Sequence, residues 1–205
     1  MRVLRSLLAS LALLSAGGVT LSAATDQFQA FTTESARRLA VRQHPVEIPD
    51  VALQLQSGAN VRFAHFRGKW VLVDFIYTRC PTYCRALGGE FSQLQDRLAG
   101  PLARGKLQLL SISFDPSHDS PPSLAAYLQR SRDSGTGWFA SRPAAADDLE
   151  RLERAFGITV IPDGAGGYTH NAAIHLVDPR GRLVAIFDVD DPRLVAHALL
   201  QSLDR

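Results

Sequence analysis

Residues 69–85 read KWVLVDFIYTRCPTYCR. From Trp70 to Tyr77 the run is apolar except for Asp74. Such a run predicts a central strand buried on both faces, as in a parallel sheet. Cys80 and Cys84, the only two cysteines of the chain, follow it. Pro81 comes straight after Cys80, and proline favours the first position of a helix. The apolar positions Leu98, Leu94, Phe91 and Leu87 extend backwards to Cys84 and Cys80. The reading is strand, cysteine, helix, with both sulfurs heading the inward stripe at the helix N-terminus.

That placement has a chemical consequence. Free N–H groups and the dipole at a helix N-terminus favour thiolate over thiol. Thiolates are nucleophiles and soft metal ligands. Three residues separate the two cysteines. At i and i+4 on a helix their side chains stand roughly parallel, one turn apart. They grip one ion more readily than they close a disulfide, whose Cβ atoms must come within about 3.8 Å. A disulfide closing so short a loop also adds little stability. An inert staple is the weakest reading, and metal binding and redox exchange both stay open. Two sulfurs alone leave most metals short of donors.

The flanking segments set the fold class. Lys106 to Asp115, KLQLLSISFD, is a second buried run, and two such strands joined by a helix predict a right-handed parallel βαβ unit. VALQLQSGANVRFAHF, from Val51, alternates around a Ser-Gly-Ala-Asn turn and predicts a hairpin. SPPSLAAYLQR, from Ser120, is a helix entered through prolines, and GWFA, from Gly137, is a short strand or extended loop. PAAADDLERLERAFG is a helix ending on Gly157. NAAIHLVDPRGRLVAIFD is a hairpin turning at Asp178 to Gly181, and DPRLVAHALLQSL is a terminal helix. The order predicts an α/β thioredoxin-like sandwich: a central mixed sheet flanked by helices, with an extra N-terminal β-hairpin.

The first residues read as a targeting segment. Arg2 and Arg5 precede an uncharged stretch from Ser6 to Thr25, and Ser22-Ala23-Ala24 suits a signal peptidase. An uncleaved anchor is the rival, since about 20 apolar residues span a bilayer. Residues 1–24 are therefore a signal peptide or membrane anchor, 25–45 a linker, and 46–205 the domain. Both readings carry the domain across a membrane, with the periplasm the simplest location. Removing residues 1–24 takes two of 22 basic residues and none of 20 acidic ones, leaving equal numbers. That balance offers no electrostatic case for nucleic acid. Apolar residues at 46% and charged ones at 20% suit a domain with a proper core.

A third ligand must come from the six histidines. His44 lies in the linker, His65 at a hairpin strand end, and His197 in the terminal helix. His118 sits in the DPSHDS loop and reads as a solvated loop histidine. His170 and His175 differ by five, so on one strand they face opposite sides and cannot both serve one site. His170 follows the glycine-rich PDGAGGYT, and functional groups concentrate on such loops. Spacing alone gives it only a small advantage over a solvated histidine. Asp163 reads as a turn aspartate. Asp74 is either a buried acid acting on the cysteines or a carboxylate at a solvated strand edge, the second being the simpler reading.

VDFIYTRCPTYC, SISFDPSHDSPPSLAAY, LERAFG and HNAAIHLVDPRGRLV together resemble the Sco/SenC family of copper-binding, thioredoxin-fold proteins. The resemblance runs from about Val46 to the C-terminus, and the Asp115 to Pro121 loop adds to it. It implies that Cys80, Cys84 and His170 bind one copper ion. It also implies delivery of copper to the dinuclear copper centre of cytochrome c oxidase, or reduction of that centre's cysteines. The implied partners are the copper subunit of the oxidase and another periplasmic copper donor. Two thiolates suit Cu(I), and an imidazole makes Cu(II) tolerable. This chain departs from the family at Arg85, where proline is common, at Thr169 and Asn171 beside the histidine, and at His175, where an aromatic is usual. A thiol–disulfide oxidoreductase acting through Cys80 and Cys84 is the alternative, and a thiol peroxidase is a weaker third.

Overall fold

The computed structural model describes residues 2–80 and 83–203, and all of their side chains except those of residues 83–87. The chain divides into two compact units, residues 1–44 and 45–205. In the first, α1 (Arg2–Ala24) has no buried residue. Its length and composition suit a membrane anchor and a signal sequence alike. Helix α2 (Thr33–Gln43) occupies much of the segment expected to be a linker or loose helix. The Thr32 hydroxyl caps it by accepting the Ser35 N–H at 3.0 Å.

The second unit is built on an eight-stranded mixed sheet. Its strands in chain order are β1 (Val46–Glu47), β2 (Ala52–Leu55), β3 (Asn60–Arg62), β4 (Trp70–Ile76), β5 (Leu107–Ser113), β6 (Trp138–Pro143), β9 (Ile174–Val177) and β10 (Arg182–Phe187). Across the sheet they run β1-β10-β9-β4-β5-β6-β2-β3. Strands β4, β5 and β6 are parallel, and β9 meets β4 antiparallel. Between β4 and β5 comes α3 (Tyr83–Arg97), followed by α4 (Ala99–Ala103). Helices α5 (Pro121–Arg130), α6 (Ala146–Phe156) and α7 (Pro192–Leu203) complete the unit.

The apolar patterns place these elements as expected. Phe91, Leu94 and Leu98 are fully buried. Phe91 meets the Trp138 ring at 5.6 Å, which seats α3 on the sheet. The indole N–H of Trp138 donates to the Ser111 hydroxyl at 3.1 Å. Helix α6 ends on Gly157 at φ 65°, a left-handed cap. The backward extension of the α3 stripe falls partly outside the description, because Pro81, Thr82 and the side chains of Cys84 and Leu87 are not among the described residues.

GWFA, expected as a short strand or extended loop, is a strand: Trp138 opens β6 inside the sheet. Two features differ from the sequence reading. His65 lies in a short 3-10 helix, Phe63–Phe66, rather than at a strand end. Asp74 is not at a solvated edge: it lies mid-strand in β4, with no exposed surface. Neither of its carboxyl oxygens has a hydrogen-bond partner of ordinary geometry among the described residues. Burial pushes this carboxyl up to about 7, opposed by the hydroxyl of Ser111, its register partner on β5.

Candidate metal centre

Cys80 is half-buried and stands four residues past the end of β4. Two carboxylates from the loop after β5 brace the segment that carries it. Asp119 has no exposed surface. It accepts the Thr78 N–H at 3.0 Å, the Thr78 hydroxyl at 2.6 Å and the Ser113 hydroxyl at 2.5 Å. Asp115 accepts the Arg79 guanidinium at 2.8 Å, and it also receives Ser117 and His118. Burial works to raise the Asp115 carboxyl, but hydrogen bonds from Arg79, His118 and Ser117 outweigh it and hold the group below its ordinary value. His118 is exposed in its loop, as expected, and is also hydrogen-bonded to Asp115.

The histidine side of the site is a second, small sheet. Strand β7 (Val160–Pro162) pairs antiparallel with β8 (Tyr168–His170), in a hairpin absent from the sequence reading. Asp163 is the turn aspartate expected, accepting the Ala165 and Gly167 N–H groups at 2.8 and 2.9 Å. Gly164 and Gly166 take φ of 76° and 88°, a region that favours glycine. At the foot, Asn171 accepts the Thr159 N–H at 2.7 Å and donates to the Gly157 carbonyl at 2.8 Å. The residue that departs from the family pattern therefore ties the hairpin to the end of α6.

Tyr168 and His170 share one face of β8, and that face docks on an aromatic floor. Phe114 lies 4.9 Å from the His170 ring and 5.6 Å from Tyr168. Tyr77 lies 5.2 Å from Tyr168 and 5.3 Å from Phe114. Its hydroxyl accepts the Tyr168 N–H at 3.4 Å. Period-two spacing marks Tyr168 as facing with His170, but nothing in the sequence pairs them with Tyr77 or Phe114.

Both ring nitrogens of His170 are buried, and neither has a hydrogen-bond partner among the described residues. Burial holds its imidazole below the ordinary histidine value, which favours the neutral, ligating form. A buried imidazole without partners needs an explanation, and a bound metal is one. Cys80 and His170 line the same cleft, of about 780 Å³, together with Tyr77, Tyr168 and Asp163. A cysteine and a histidine lining one cleft offer a thiolate and an imidazole, donors suited to a soft transition metal. The Cys84 side chain lies outside the described residues, and among those described no three His, Cys, Asp or Glu side chains cluster as a metal site.

The remaining histidines are elsewhere. His44, His65 and His197 are exposed. His175 is fully buried in β9, its Nδ1 within 3.3 Å of the Val73 carbonyl. Its ring meets Phe75 and Phe156 edge-on, as an aromatic core residue would. Thr169 is exposed on the opposite face of β8.

Relatives share this arrangement of elements. BsSco, described as a member of the Sco family of cytochrome c oxidase assembly proteins with a disulfide switch, superposes with a TM-score of 0.67 at 22% identity, covering 77% of this chain and 94% of that one. ScoI of Bradyrhizobium japonicum, solved with copper bound, gives a TM-score of 0.63 at 25% identity over 76% of this chain and 98% of that one. Among curated proteins, the SCO1 protein homolog of Bacillus subtilis is 26% identical over 140 residues, 67% of this chain and 72% of its own length. The mitochondrial SCO2 homolog of Bos taurus is 29% identical over 150 residues, 72% of this chain, but the match spans only 56% of that protein. The family model described as SCO1/SenC matches residues 42–203. That match covers both strand-end braces, the cysteine pair and the histidine hairpin, and the chain belongs to the SCO1/SenC family.

Proposed function

We propose that the protein is a periplasmic copper-binding metallochaperone that holds one copper ion through Cys80, Cys84 and His170 and supports assembly of the dinuclear copper centre of cytochrome c oxidase. The observation that carries this reading is His170: a buried imidazole with both nitrogens unpartnered among the described residues, in one cleft with Cys80. Copper is cargo here. Thiolates and an imidazole select it on softness and on the Irving–Williams order, and a three-ligand site keeps a position open for hand-over. The domain, residues 46–205, works beyond the membrane crossed by residues 1–24, whether these are cut or stay as an anchor. Support for the partner comes from the relatives, one of which is described as a cytochrome c oxidase assembly protein.

Titration of the reduced protein with Cu(I) and Cu(II) tests the site. One ion per chain is expected, with affinity lost on Cys80→Ala, Cys84→Ala or His170→Ala. Full-strength binding by His170→Ala would remove the site as drawn. The disulfide switch described for BsSco favours a second use of the same sulfurs, thiol–disulfide exchange with the cysteines of a partner. Its test is the reduction potential of the Cys80/Cys84 couple, which must allow exchange with periplasmic thiols.

A further inference from the structure

Cys80 and Arg79 form a ridge between two clefts, because both line the histidine cleft and a second cleft on their other side. The second, of about 890 Å³, lies between α3 and the end of α5. Its α3 wall is Gly89, Ser92, Gln93 and Asp96, spaced as one helical face. Opposite stand Arg130 and Arg132, both exposed, and Arg79 closes the Cys80 end. Among the described residues lining the cleft, Arg130 and Arg132 stand against one carboxylate, that of Asp96, while Arg79 is already paired with Asp115, so the lining keeps an excess of positive charge.

Arg132 takes φ 60° as the left-handed residue that ends α5, where the Asp133 N–H donates back to the Leu128 carbonyl at 3.1 Å. Buried Gln95 of α3 holds this end of α5 beside the cleft, donating to the Arg132 carbonyl at 3.2 Å and accepting the Ser134 N–H at 2.9 Å. One observation marks the cleft as open to a second chain, the glycine pair in the middle of α3. Gly88 has a packing reason, since a Cβ there would collide with the Ser131 hydroxyl. Gly89 has none: a Cβ there would meet nothing within 4 Å. A helix-interior glycine costs about 1 kcal/mol relative to alanine. Here it leaves bare backbone on the wall of the cleft, where another chain can approach closely.

We propose that this cleft is the docking groove for an acidic, extended protein segment of the partner that exchanges metal or thiol with Cys80. The proposal rests on the chemical role of Cys80 given above and names the chemistry of the partner. Carboxylates of the segment lie against Arg130 and Arg132, its backbone passes Gly89, and its own sulfur is led to Cys80. His170 stays on the other side of the ridge, so docking leaves the histidine cleft open.

The approach to Cys80 can be timed in the full chain carrying Cys84→Ser. Three peptides of equal length, acidic, neutral and basic, each carry one cysteine activated as a 2-pyridyl disulfide. The Cys80 thiolate attacks the peptide sulfur and the Cys80–peptide disulfide forms. The original S–S bond breaks, and pyridine-2-thione leaves with its electron pair, taking a proton from solvent. At low salt the acidic peptide should react about tenfold faster than the neutral one, and the basic one slower. High salt should bring the rates together. The double variant Arg130→Glu, Arg132→Glu should erase or invert the order, and the same double variant with Cys84 intact should still bind one copper ion. Equal rates for the three peptides, including equal absence of reaction, overturn the proposal. So does an acidic preference that survives the double variant. Loss of the copper reading through His170→Ala, with the peptide order intact, leaves the groove standing, so the two failures are distinguishable.

Discussion

Asp119 holds Thr78, two residues ahead of Cys80, by both its main-chain N–H at 3.0 Å and its hydroxyl at 2.6 Å. A buried acid on the loop after β5 thus sets where the segment leaving β4 delivers its cysteine.

Asp119→Ala removes three acceptor contacts at once and leaves the Ser113 hydroxyl buried without one of its partners. The expected loss is about 3 kcal/mol in urea unfolding. Copper affinity should fall ten- to a hundredfold, as when support behind a ligand is removed. Unchanged affinity with unchanged stability would show that the brace does not position Cys80.

Phe114 touches His170, Tyr168 and Tyr77 and is the centre of the floor under β8. Phe114→Ala should cost about 3 to 5 kcal/mol. It should also raise the protonation midpoint of His170 towards the ordinary histidine value, because burial is what holds that value down. An NMR titration of the His170 ring reads the shift directly, and a midpoint that stays low would contradict this account.

Asp74 predicts a pH dependence of stability. Its folded value is about 7 against an ordinary 3.8. Between those values the folded state keeps a proton that the unfolded state has lost, so stability falls as pH rises. The stabilisation is complete below 3.8, declines through the window and is gone above about 7. The amplitude is on the order of 4 kcal/mol. Asp74→Asn should flatten this slope in denaturation curves taken across the window, and a slope equal to that of the wild type would assign it to other groups.

The two neighbouring glycines of α3 should respond with opposite sign. Gly89→Ala adds a methyl where nothing lies within 4 Å, and it should stabilise the protein by about 1 kcal/mol. Gly88→Ala drives a methyl into the Ser131 hydroxyl and should lower the melting temperature. Calorimetry of both variants decides this, and a Gly89→Ala protein less stable than wild type would reject it.

Periodicity and local chemistry determined much of this protein. The apolar run of β4, the stripe of Phe91 and Leu94 on α3 continuing to Leu98 just past its end, and the turn at Asp178 to Gly181 are short-range patterns. Each reports its element because burial repeats with the period of the backbone. Cys80 stood out because the chain has only two cysteines and the first follows a buried strand. Tertiary structure decided what depends on residues far apart in sequence. Asp74 could be read as edge or core until strands on both sides of β4 enclosed it. The β7–β8 hairpin was hidden in a glycine-rich stretch, since its pairing is two short strands held by contacts with Tyr77 and Phe114, about 90 and 55 residues away. His170 stands out only through that docking, which buries its ring, leaves both nitrogens without a partner among the described residues and places the residue in a cleft shared with Cys80. Helix and strand periods are local properties of a chain, whereas desolvation of a single imidazole depends on everything that folds around it.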